Sequence, residues 1–136
     1  MVRRPSDEWS RQVEQEEAEL ARGARSAEQV YARIVWPESL RSRTNAALAE
    51  FEAELHALTQ PSDEEVLAVV ERLVLSLNTI DDDHVQAGKI GYETGERDEL
   101  CDYISAALHE AGIDVVSLEI RAGAQPGDIA GLWRDW

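Results

Sequence analysis

Apolar residues recur along this chain at helical spacing, most densely between Val66 and Leu77. Ser6 is a candidate N-cap for a first helix to about Arg22, with Trp9, Val13 and Leu20 as a thin apolar stripe. Glu14, Glu16, Glu17 and Glu19 solvate its other faces, and Gly23 ends it. Ser26 caps a second helix with Val30, Tyr31 and Ile34 inward, and Pro37 forces a break at Trp36. A third helix runs from Glu38 to Leu58 on Leu40, Leu48, Phe51, Leu55 and Leu58. Ser62 and Glu65 then form a capping box, with Asp63 and Glu64 at the positive helix end. Behind it Val66, Leu67, Val69, Val70, Leu73, Val74 and Leu77 cover more than half of the helix circumference. Four of these are valine, so a buried strand competes. The capping box and the Glu71–Arg72 pair decide for a central helix.

Thr94 caps a fifth helix to Ala111, with Leu100, Ile104 and Leu108 on one ridge and Cys101 and Ala107 beside it. Gly112 followed by Ile113 has the form of a Schellman ending. The alternation of Val116, Leu118 and Ile120 within 115–120 reads as a short strand, and 122–127 as loop. The tail from Asp128 to Trp136 is expected to make a helical turn that packs Ile129, Leu132 and Trp133 down. These elements predict an all-α bundle of about five helices, one domain over 1–136, with an irregular tail and at most one short strand. Residues 1–23 are expected to attach loosely. Leu48, Phe51, Leu55, Leu73, Leu100, Ile104 and Leu108 are the expected core.

Charge changes the picture from fold to partner. The first sixty residues carry eleven acids and eight bases, whereas Pro61 to Trp136 holds seventeen acids and five bases. The total is −15 over 136 residues. Such a surface repels nucleic acid and anionic lipid and attracts a basic partner. A hydrophobic fraction of 43% excludes a compositionally disordered chain. Cys101 is the only cysteine, so the chain has no internal disulfide and no thiolate cluster. No apolar core follows Arg3 and Arg4, and the run from Val66 to Leu77 is too short to cross a bilayer. A cytoplasmic, soluble protein is expected.

Candidate chemistry is sparse. Asp81, Asp82, Asp83 and His84 offer oxygen and nitrogen donors, but adjacent carboxylates diverge and no calcium-loop spacing is present. The segment from Ile80 to Glu93 is expected to be an exposed, mobile loop with no bound metal. His56, His84 and His109 form no i, i+4 pair, no Glu-x-x-His motif is present, and Cys101 has no histidine partner in sequence. No nucleophile elbow or phosphate-cradling glycine loop occurs, so no catalytic residue and no cofactor is expected. Trp9, Trp36, Trp133 and Trp136 lie near element ends, with Trp36 and Trp133 expected as lids on the core. Tyr92, beside the acidic run, is the aromatic expected at a partner surface.

The acidic segment after Leu77–Asn78, the run from Glu93 to Cys101, and the ending Asp128…Trp133-Arg134-Asp135-Trp136 resemble small acidic bacterial proteins of the polymorphic-toxin immunity type. The resemblance covers the C-terminal half and implies a helical binding module that neutralises a basic toxin domain. The expected recognition surface is Asp81, Asp82, Asp83, Tyr92, Glu93, Glu96, Asp98, Glu99 and Asp102. Two other readings compete. One is a metal protein or enzyme using Asp81, Asp83 and His84; the other is a homo-oligomeric structural protein completed through the first helix.

Overall fold

In the computed structural model, residues 2–136 are described. The order is α1 (Pro5–Ala21), α2 (Ala32–Val35), α3 (Glu38–Ala57), α4 (Asp63–Gln86), α5 (Thr94–Glu110) and α6 (Val115–Ala122). Single 3₁₀ turns lie at Ala27–Gln29 and Ile129–Leu132. There is no strand among the described residues. The chain is an all-α bundle around one core.

α4 is central, as its apolar circumference requires. Val66, Val69, Val70, Leu73, Val74 and Leu77 are buried, and Ser62 and Glu65 make the capping box that starts the helix. α3 and α4 are the most extensively packed pair. Their cross-links run Ser39 to His84, Arg43 to Asp83 and Glu54 to Arg72, an antiparallel register. Leu48, Phe51 and Leu55 of α3 meet Leu100, Ile104 and Leu108 of α5 in the same core. All seven expected core residues are buried.

α4 does not stop near Leu77. It continues to Gln86, so the expected loop at 80–86 is helix. Ile80 and His84 prolong the inward stripe beyond Leu77, and no glycine or proline interrupts the chain before Gly88. Gly88, at φ +77°, then reverses the backbone. Its N–H reaches the Val85 carbonyl at 3.0 Å, and the Lys89 N–H reaches the His84 carbonyl at 2.9 Å. α5 ends the same way at Gly112, where the Ile113 N–H bonds the Leu108 carbonyl.

α1 is docked, against the expectation of a loose segment. Pro5 occupies the first turn, where its missing N–H costs nothing, so the helix starts before Ser6. Ser6 turns inward instead and donates to Asn45 Oδ1 at 2.9 Å. Arg4 grips Glu52 of α3 through Nε and Nη2 at 2.8 and 3.1 Å. Trp9 is fully buried, and its indole N–H donates to Glu99 of α5 at 3.2 Å. A planar bidentate pair and a buried tryptophan fix a helix whose apolar stripe is thin.

The second helix expected from Ser26 is divided. Ser26 and Gln29 make a capping box over one 3₁₀ turn, Val30 is extended and buried, and α2 follows. Buried Glu16 of α1 takes the N–H groups of Tyr31 and Ala32, which leaves Tyr31 and Ile34 exposed. The expected strand at 115–120 is α6: Asp114 accepts the Ser117 N–H at 3.2 Å as its N-cap. A strand has no neighbour to pair with here, and the helix buries Leu118 while Val116 and Ile120 face out.

The tail closes the bundle. Asn78 on α4 donates to the Trp133 carbonyl at 2.9 Å and accepts the Asp135 N–H at 3.2 Å. Ile129 and Ala130 are buried and Leu132 is exposed, so the turn packs one residue differently from expectation. An aromatic ladder joins both ends of the chain. Trp36 stacks on Trp9 with centroids 6.0 Å apart, Trp9 meets Tyr92 at 6.3 Å, and Tyr92 meets Trp136 edge-on at 5.2 Å. Arg134 lies 5.5 Å over the Trp136 ring. Trp36 and Trp133 are partly buried against the core, as lids.

Candidate acidic binding surface

The nine residues of the expected recognition surface fall on the last turns of α4, the connection that follows, and the first three turns of α5. A helix advances about 100° per residue, so Asp81, Asp82 and Asp83 point in three directions. Asp81 turns inward, where its Oδ1 accepts the Tyr92 N–H at 2.7 Å. Tyr92 is buried too, its hydroxyl 2.6 Å from Thr44 Oγ1. Burial raises the phenol well above its usual range, against the opposing Thr44 hydrogen bond. Glu96, also buried, accepts the Glu93 N–H at 3.2 Å. Together they form the capping box of α5, whose N-cap is therefore Glu93 and not Thr94. Asp81, Tyr92 and Glu96 are thus interior residues rather than contact residues. Their polar atoms pair with backbone or core groups of the fold.

Three further residues have internal duties while exposed. Asp83 receives Arg43 Nη1 at 2.9 Å, Glu93 helps to cap α5, and Glu99 accepts from the Trp9 indole. Burial pushes the Glu99 carboxyl up; the Trp9 hydrogen bond opposes this, while Glu96 and Glu8 reinforce it.

Asp82, Asp98 and Asp102 remain. Each is exposed, and no side-chain hydrogen bond or ion pair holds any of them among the described residues. Asp98 and Asp102 are i, i+4 neighbours, so they project from the same face of α5. On α4, Asp82 is joined by Asp135 from the tail. Ligand oxygens of Asp81, Asp82 and Asp135 lie within 4.8 Å of one another. Partial burial raises the Asp135 carboxyl, and the charges of Asp82 and Asp81 add to the effect. Asp135 has no sequence signal for this role. It is 53 positions from Asp82, and the docking of the tail, with the Asn78 bonds beside it, brings it there.

The trio Asp81, Asp83 and His84 is not assembled as a ligand set. His84 is buried against α3, its Nε2 2.8 Å from Ser39 Oγ and its Nδ1 2.7 Å from the Ile80 carbonyl. Asp83 faces out to Arg43 and Asp81 faces Tyr92. Cys101, half-buried, donates to Asp128 Oδ1 at 3.6 Å and accepts from Arg134 Nη1 at 3.4 Å. Burial pushes its thiol up to about 11 despite the nearby Arg134 charge, which leaves it a weak nucleophile at neutral pH.

Comparison with family models, with curated proteins and with solved structures finds no match to this chain. No helix among the described residues is long and apolar enough to cross a membrane.

Proposed function

We propose that this protein is an acidic binding module that neutralises a basic partner by direct association, in the manner of an immunity protein against a toxin domain. The observation that carries the proposal is the set of uncommitted exposed carboxylates at Asp82, Asp98 and Asp102 within a chain of net charge −15. Carboxylates already paired inside the fold contribute little to a partner's field. Free ones on a rigid helix add to a long-range potential that steers a positive surface into contact. A toxin domain that binds phosphate presents such a surface, and covering it blocks access of its substrate. The test is association kinetics with the protein recovered from the source cell on this bait. The expected result is a basic partner whose association slows at least tenfold when Asp82, Asp98 and Asp102 are changed together to lysine, with dissociation nearly unchanged. An acidic partner, or an unaltered association rate, overturns the proposal.

A further inference from the structure

An open groove of about 940 Å³ lies between α5, α6 and the turn after α6, and neither Asp81 nor Tyr92 lines it. Its volume is that of a ligand cleft. Ser105 and His109 of α5 line it, as do Ile113, Val116 and Glu119. Two of the lining residues each carry a polar atom that is buried beneath the groove surface without a hydrogen-bond partner among the described residues, Ser105 Oγ and Glu119 Oε2, so a ligand reaches them as these side chains turn outward. Glu119 is only 4% exposed, which makes an unmatched carboxylate oxygen there unusual for a folded interior. Its neighbours do not compensate. Asp102 and Asp114 also line the groove, His109 is the sole group there that can carry positive charge, and no lysine or arginine contributes. The apolar lining is also incomplete, with Val116 65% exposed on a helix whose Ile120 is 75% exposed one turn on.

We infer that this groove receives an arginine side chain of the protein partner. The inference rests on the reading that the partner is basic. A guanidinium presents a planar fork of N–H donors that matches one carboxylate bidentately and leaves further donors for a hydroxyl oxygen. Glu119 supplies the carboxylate and Ser105 the hydroxyl. The terminal torsion of a glutamate is soft, so either oxygen can turn to meet the fork. The methylenes of the arginine stem cover Ile113 and Val116, as long cationic side chains do on apolar surface. Asp102, on the rim, is one of the three free carboxylates of the steering surface, so the field that attracts the partner leads to the groove.

The experiment titrates N-acetyl-arginine amide into the isotopically labelled full chain and follows backbone amide shifts, with N-acetyl-citrulline amide as the uncharged isostere. Shifts at Ser105, His109, Val116 and Glu119, with arginine preferred at least fivefold, are expected. Glu119→Gln should abolish that preference, and Glu14→Lys, exposed on α1 and outside both surfaces, should leave it intact. If Glu119→Gln perturbs the fold, Val116→Ser at an exposed position serves instead and should weaken arginine binding at least twofold. Equal binding of the two amides, or arginine shifts centred on Asp82 and Asp135, overturns the inference. The two proposals fail separately. A groove without arginine preference leaves the lysine-reversal result for the native partner standing. An acidic native partner with an arginine-selective groove removes the functional reading alone.

Discussion

The Asp81 carboxylate accepts the Tyr92 N–H at 2.7 Å and occupies the space in which a side chain at position 91 would sit. A Cβ on Gly91 would lie 2.1 Å from Asp81 Oδ1, well inside contact distance. This contact ties the end of α4 to the entry of α5 and turns two apparent surface residues into a joint. Gly91→Ala is therefore expected to destabilise the protein by about 1–3 kcal/mol, the range for forced overpacking. Asp81→Ala strands the Tyr92 N–H and is expected to cost about 1–3 kcal/mol. Chemical unfolding of each variant checks both values, and a neutral Gly91→Ala is incompatible with this joint.

Leu73→Ala should cost about 2–5 kcal/mol, because Leu73 lies in the buried stripe of α4. Urea midpoints at an unchanged slope measure it. A loss below about 1 kcal/mol is outside the range for a core truncation.

Stability should fall on acidification, with Glu52 as one identifiable contributor. The Arg4 hydrogen bonds hold its carboxyl below the ordinary value of 4.5, despite partial burial, and the Tyr103 hydroxyl assists. A group depressed in the folded state stabilises fully above its unfolded pKa and loses that contribution as pH falls through the folded one. Glu99 and Asp135, both raised, act in the opposite sense and partly offset the loss. Glu52→Gln should lower the melting temperature at pH 7 and shrink the wild-type decline below pH 4.5. An identical pH dependence in both proteins argues against the Arg4–Glu52 anchor.

Cys101 should label slowly in the native state. A thiol raised from 9.0 to about 11 holds about a hundredfold less thiolate at pH 8, since each pKa unit is tenfold. The comparison is the labelling rate in buffer against that in urea. Equal rates would mean that the Asp128–Arg134 cover opens freely.

Asn78→Ala should release the tail, because one amide serves both the Trp133 carbonyl and the Asp135 N–H. The expected cost is about 1–3 kcal/mol for two lost bonds, with faster hydrogen exchange at Asp135. Tryptophan fluorescence should shift as Trp136 leaves the Tyr92 ring. Unchanged emission and exchange would place the tail's attachment elsewhere.

Much of the bundle was legible along the chain because local rules and core packing agree there. Ser62 with Glu65, the stripe from Val66 to Leu77, and Gly112 before Ile113 each specify a helix boundary or face from neighbours in sequence. α3 and α5 follow from the same 3.6-residue period. Where two local signals competed, only the tertiary structure decided. The alternation of Val116, Leu118 and Ile120 suits a strand or a helix that buries one side, and the absence of any neighbouring strand settles it. The polar triplet at 81–83 reads as loop until Ile80 and His84 are seen to pack, whereupon the helix continues beneath it. Long-range partners lie outside any local pattern: Arg4 with Glu52, Glu16 with the N–H groups of Tyr31 and Ala32, Asn78 with the tail. They decide which carboxylates are committed to the fold and which, at Asp82, Asp98 and Asp102, remain free. The sequence alone determined the amount and sign of the charge, since both are sums over residues. Which of those charges face outward and unpaired depends on how distant segments meet, and only the folded chain determines that.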